Sequence, residues 1–333
     1  MLLSAILPQH DPTDLSRYTC IVVVRGTTPT IPMATTESSA NPHEFGTKDT
    51  RKDEMRESTE EFIEDLIAEA KSASESETFK RFLDAQSAFH DYSYRNTLLI
   101  KMQCPHATHV AGYRTWQTEF DRHVQEGESA IWIWRPIIAN KCPECGNSPS
   151  YHDSIGCGYD ETDPEEWSEG VVAFRTASVF DVSQTEGEPL PELPSDAEGD
   201  ADELLDDMIE AADALSADVE IVPTDEWDHG TANGVCDTSA REIEIKDREN
   251  AAVAGSLAHE YAHALLHGDD DTTEQDRELE AEAVAYVVGR HFGLDMGGSG
   301  FYLAAWENDD AEAIRGRLDR INKTARKIID AIE

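Results

Sequence analysis

Basic residues are scarce in this chain. Lys and Arg number 27 against 69 Asp and Glu among 333 residues, a formal charge of −42. That excludes a protein that holds nucleic acid mainly by a broad basic surface. No apolar run approaches the roughly 18 residues that would signal a membrane-spanning helix, so no membrane partner is expected. Six cysteines are too few for a disulfide scaffold in a chain this long. Hydrophobic residues, at 39%, still suffice for a core. The length suits one large domain or two ordinary ones.

The acid excess runs along the whole chain. Dense carboxylates keep a surface hydrated in molar salt, which also screens their repulsion. The charge therefore predicts a cytoplasmic protein of an extreme halophile. Residues 1–32 differ, with only Asp11, Asp14, Arg17 and Arg25 charged, and Met33 then opens a polar acidic run. Residues 1–58 are expected to be a disordered or misassigned extension, with Met33 as a candidate true start.

Helical periodicity begins near Glu60, and further helices are expected near Thr78–Phe89 and Tyr92–Gln103. Strands are expected at Thr108–Tyr113, Ala130–Trp134 and Val171–Val182. No Lys or Arg occurs from Thr176 to Ala240. The acidic, Pro-containing stretch 185–203 reads as a linker. Beyond it come a helix near Leu204–Leu215, a strand near Asp218–Val222 and a hairpin at Ala232–Ile245. Long helices follow near Glu249–His267, Glu274–Phe292 and Asp310–Ile332. The basic residues of the last, from Arg315 to Lys327, are expected to pair with the acidic body.

His259-Glu260-Tyr261-Ala262-His263 carries the sharpest chemistry. Histidines at i and i+4 share a helix face, so both imidazoles can reach one Zn2+ ion. Glu260 beside them can take a proton from an attacking water. A third protein ligand is needed, and Glu278 and Glu282 share one face of the next helix. Glu278 is assigned as ligand and Glu282 as the group that hydrogen-bonds a ligating histidine. Spacing alone leaves the reverse assignment open. Glu280 is expected to point away, and His267, at the helix end, reads as a capping or surface histidine.

The hairpin, this helix and Glu278-Leu279-Glu280-Ala281-Glu282-Ala283 resemble zincin-like metallopeptidases of the IrrE/ImmA type over residues 204–295. The same pattern occurs in ArdC-type antirestriction proteins of the haloarchaeal kind. Relatives often carry Asp or Asn at position 282.

Residues Gln86–Asn140 hold five basic and five acidic groups, a neutral window with many aromatics. Interleaved aromatic and basic groups suit single-stranded nucleic acid, where bases stack on rings. Ser93–Ile100, Val110–Trp116, Val124–Ile131 and Phe180–Gly187 resemble, in order, segments of the ArdC single-stranded-DNA-binding domain. The resemblance implies a single-stranded DNA partner, with Tyr94, Arg95, Lys101, Tyr113, Arg114 and Trp116 as candidate contacts. The Gly127 turn, basic in relatives, is acidic here.

Cys142-Pro143-Glu144-Cys145, with His152 and Cys157, has the ligand types of a closed structural zinc site. The expected fold class is α+β in two domains. Residues 59–184 form the DNA-binding-like domain with a Cys/His insert at 141–160, and 185–203 the linker. Residues 204–295 form the zincin-like domain and 296–333 a helical C-terminal segment. The resemblance implies a mobile-element, antirestriction role, with peptidase chemistry on an unknown protein substrate. Two other functions compete: a regulatory metallopeptidase that cleaves a repressor-like protein, and a non-catalytic DNA-binding adaptor with a structural metal.

Overall fold

The computed structural model describes residues 45–47, 50–71, 75–188, 201–268, 272–296, 301 and 303–333. The Met33 start and most of the acidic linker lie outside the described residues. The described chain is a mixture of helix and sheet.

Helix α1 (Arg51–Ala70) begins inside the stretch expected to be disordered. Met55 is the reason: it packs with Phe45 and Leu99 in a small cluster, and the Arg51 guanidinium lies 3.6 Å from the Trp132 ring centre. Helix α2 (Glu77–Ala88) starts where Ser76 accepts from the Phe79 amide. Helix α3 (Tyr94–Gln103) starts the same way on Ser93. Both use a hydroxyl to satisfy an N–H that the helix leaves orphaned.

The expected strand at Thr108–Tyr113 shrinks to β1 (Val110–Ala111). Gly112 caps the start of helix α4 (Tyr113–Glu119) at once, so Tyr113 is helical. After β2 (Arg122–Val124) a long ribbon begins. Its first strand is β3 (Ile131–Asn140). Helix α5 (Pro149–Ile155) lies in the insert, and β4 (Glu169–Asp181) returns antiparallel to β3. Strand β5 (Thr185–Gly187) pairs with β2.

The sheet order β1-β4-β3 leaves β3 at an edge. Unpaired edge groups are costly when covered, and α3 satisfies them with two amides. Asn96 donates to the Trp134 carbonyl and accepts from its N–H, both at 2.8 Å. Gln103 does the same for Trp132 at 2.9 and 2.8 Å. Buried Asp181 accepts from the amides of Thr108, His109 and Ser183, and so ties β4 to the chain before β1.

The second half opens with helices α6 (Ala201–Glu210) and α7 (Ala212–Leu215) and strand β6 (Asp218–Val222). Strands β7 (Gly234–Asp237) and β8 (Glu242–Lys246) form the expected hairpin. Asp237 accepts from the Ser239 and Ala240 amides to shape its turn. Strand β8 lies between parallel β6 and antiparallel β7, which makes β7 an edge strand. Helices α8 (Asn250–Leu266), α9 (Glu274–His291) and α10 (Ala311–Ile332) complete the order.

The largest core gathers Ile63, Phe79, Phe82 and Tyr94 with Leu257, Tyr261, Val284, Trp306 and Ile321, all at most 1% exposed. It therefore runs from α1–α3 into α8–α10, across the sequence division at the linker. Polar ties cross the same boundary. Asp84 accepts from the Tyr286 hydroxyl at 2.8 Å and Arg290 at 3.2 Å, and Arg326 pairs with Asp91 at 2.9 Å.

Candidate metal centre

Helix α8 carries the two histidines in its last turns, and α9 crosses it with the carboxylates. The Nε2 atoms of His259 and His263 lie 3.0 Å apart. Glu278 reaches both: one oxygen is 3.5 Å from His259 Nε2 and the other 3.4 Å from His263 Nε2. The three ligand atoms lie within 4.8 Å of one another.

What lies behind the rings decides which nitrogen faces the centre. His259 Nδ1 is 3.5 Å from Glu282. His263 Nδ1 is 3.0 Å from His267 Nδ1, and His267 Nε2 is 3.3 Å from Glu280. A consistent assignment has His263 Nδ1–H donating to His267 and His267 Nε2–H donating to Glu280. Both Nε2 lone pairs are then free to ligate. Glu278 and Glu282 occupy the two positions that spacing left open.

His267 is the C-cap of α8, its N–H donating to the His263 carbonyl, and Glu280 points away from Glu278, as expected. Neither lies at the surface: His267 is 1% and Glu280 0% exposed. Helix α10 covers them, with Arg317 donating to Glu280 at 2.8 Å and Arg320 at 3.0 Å. Arg317 also meets Asp276 at 3.1 Å and Asp309 at 2.6 Å. The basic cluster of the last helix does pair with the acidic body, and part of it braces this site.

Glu260 is 8% exposed and makes no hydrogen bond or ion pair among the described residues. Burial pushes its carboxyl up to about 7, against the pull of neighbouring His259. That range suits a general base near neutrality. Burial opposes the charge on His259, but Glu278 and Glu282 outweigh it and raise the imidazole to about 9. Burial lowers His263, against Glu278. Both histidines hold Glu278 well below the usual carboxylate range.

The centre opens on a cleft of about 1110 Å³, walled by β7, α8 and α9. Gly234 on β7 lies hard against Glu260, where a built Cβ would sit 2.7 Å from its Oε1. Gly255 also lines the cleft, and a Cβ there meets nothing within 4 Å. Gly255→Leu is therefore expected to fold and bind metal while filling the cleft. Its stability should rise by about 0.5–1 kcal/mol from helix propensity. Any turnover at this centre should fall at least tenfold. Thermal melts and rates on one preparation test both halves.

The predicted DNA contacts divide. Tyr94, Lys101 and Trp116 are interior, at 1%, 6% and 1% exposure. The Lys101 ammonium donates to the Ala107 carbonyl at 2.9 Å and the Trp116 indole to the Phe180 carbonyl at 2.9 Å. These three are packing groups, because α3 and α4 turn those positions inward. Arg95, Tyr113 and Arg114 are exposed. Arg135 and Arg175, not among the candidate contacts read from the sequence, face each other across the ribbon. Both are exposed and make no ion pair among the described residues.

Residues 52–180 match the family model described as the N-terminal domain of the anti-restriction factor ArdC. An uncharacterized protein of Bacillus anthracis is 26% identical, over 85% of this chain and 52% of its own length. The chain thus spans about half the length of that curated relative. The antirestriction ArdC protein from the R388 plasmid has been solved in two forms. The metal-free structure matches with a TM-score of 0.42 and 15% identity, over 77% of this chain and 98% of its own. The Mn(II)-bound structure gives 0.41 and 14%, over 76% and 96%. No helix among the described residues is long and apolar enough to cross a membrane.

Proposed function

We propose that the chain is a metal-dependent peptidase of the antirestriction ArdC kind. The observation that carries this is the convergence of two imidazoles and the Glu278 carboxylate beside an unpaired, buried Glu260. His259, His263 and Glu278 would hold the ion. Three protein ligands of this type with one open position fit zinc. When bound, the ion supplies Lewis-acid polarisation of the scissile carbonyl and of the attacking water. Glu260 takes a proton from that water and returns it to the leaving amine as the C–N bond breaks. Edge strand β7, which lines the cleft, offers backbone groups to an extended peptide.

The N-terminal unit, in this reading, engages single-stranded DNA. The specific support is the Arg135–Arg175 pair, two cations with no ion pair among the described residues of a chain of charge −42, with Phe174 56% exposed beside Arg175 in the sequence. Bases would stack on the aromatic groups, which matters more where salt weakens phosphate contacts. The same charge supports a high-salt cytosol as the working medium.

Two assays test these halves separately. The zinc-loaded chain should hydrolyse an unstructured protein in molar KCl, stop on chelation and resume on re-metallation. Bound metal with no turnover over a broad peptide library would leave the adaptor reading. Cleavage confined to one folded repressor-like protein would favour the regulatory one. Single strands, and not duplex, should quench tryptophan fluorescence, and R135A/R175A should weaken that binding at least tenfold. An unchanged affinity in the double variant would remove the ribbon from the interface.

A further inference from the structure

The insert between β3 and β4 has almost no core. Within residues 141–168 only Cys142, His152 and Trp167 are buried. A segment this short and this poorly filled needs a staple to hold one conformation. Two of its three buried side chains are metal-ligand types, and the third, Trp167, packs edge-on against His152 at 4.9 Å between ring centres.

We propose that Cys142, Cys145, His152 and Cys157 form a closed zinc site, separate from the His259–His263 centre, that fixes the tip of the β3–β4 ribbon. Their four ligand atoms lie within 4.8 Å of one another. His152 Nδ1 is 3.6 Å from Cys145 Sγ. The backbone is shaped to bring them together. After Cys145, Gly146 takes φ +72° and donates its N–H to the Cys142 carbonyl at 2.9 Å. After α5, Gly156 takes φ +65°, and the Cys157 N–H reaches the His152 carbonyl at 3.3 Å. Each turn needs a left-handed residue, and glycine adopts it without a Cβ penalty.

The chemistry of the donors selects the metal. Three thiolates and one imidazole are soft donors that favour zinc over the hard cations magnesium and manganese. Four protein ligands leave no open position, so the site is structural and carries no reaction. The first ligand follows β3 by two residues, and the Asn140↔Glu169 pair closes the ribbon just inside it. Zinc would therefore lock the outer end of the ribbon that presents Arg135 and Arg175.

Cobalt(II) substitution of the full chain, prepared under reducing conditions, tests this directly. About two metals per chain are expected, with thiolate-to-cobalt charge-transfer absorption. H259A/H263A should lose one metal and keep that absorption. C145S should lose the other metal and the absorption, and become sensitive to proteolysis within 141–168. Because the spectrum is read on the unsubstituted chain, a variant that fails to fold does not obscure the answer. Absence of the thiolate absorption, or loss of it in H259A/H263A that keeps the circular dichroism of the parent, would overturn the proposal. So would a Cys142–Cys145 or Cys145–Cys157 disulfide in the reduced, metal-supplemented protein.

Discussion

Glu260→Gln is expected to abolish hydrolysis and at the same time to yield a more stable metal-free protein. The first half follows from the proton transfer. A positioned base contributes about 10²–10⁴-fold, and glutamine cannot accept the proton. The second half follows from burial. The native state holds Glu260 near 7 where the unfolded chain has it near 4.5. A raised carboxyl favours its protonated form on folding. Its stabilising effect is complete below about 4.5 and is lost as pH rises through about 7. At pH 8 the parent therefore carries a buried, unpaired charge that the neutral amide of the variant lacks. A shift of that size corresponds to about 3 kcal/mol. Urea denaturation of both chelated proteins at pH 4 and pH 8 would show it. Near-equal stabilities are expected at pH 4, with the variant ahead by up to about 3 kcal/mol at pH 8. A variant that keeps full turnover would remove Glu260 from the mechanism. Equal stability at both pH values would show that the carboxyl is solvated in solution.

Much of this site could be read from the sequence because its signals are local. The i, i+4 histidines share one helix face by geometry alone. Ser76, Ser93, Thr273 and Asp310 mark helix starts through their own side chains, and each caps the helix that follows it. What could not be read depends on partners remote in the sequence. The inward positions of Tyr94 and Lys101 are an example. Composition gives a neutral, aromatic window but not which side of α3 meets solvent. In fact α3 is covered nearly all round, with Asn96, Thr97, Lys101 and Gln103 also buried. Its polar residues serve β3 and the loop at Ala107, which no helical periodicity reports. The burial of Glu280 could not be read for the same reason. On α9 alone it faces away from Glu278, and only α10 turns that far side into an interior.

That covered side leads to the second large expected effect. Glu280 is fully buried among Arg317, Arg320 and His267. Removing one member of a buried ionic cluster leaves the others uncompensated, at a typical cost of about 3–5 kcal/mol. Glu280→Ala should destabilise the chain by that order. Molar KCl should not rescue or mimic the loss, because buried pairs are poorly screened. The exposed Arg56–Asp53 pair, at 69% and 82% side-chain exposure, offers the contrast, and breaking it should change little. Glu280 also holds His267, which holds His263 in the tautomer that leaves Nε2 free. Outer partners of this kind are worth about 10–100-fold in metal affinity. Glu280→Gln keeps the shape of the side chain while removing the charge that His267 and the arginines share, so it weakens the hold on His267 with less loss of packing than Glu280→Ala. It should remain folded at low temperature and bind zinc about tenfold more weakly than the parent. Competition with a zinc indicator measures that affinity, with circular dichroism as the check on folding. If folded Glu280→Gln protein binds zinc as tightly as the parent, Glu280 braces only the packing of α9 on α10. A weakened affinity makes the arginines of the last helix part of the metal centre's support, though that helix supplies none of its candidate ligands.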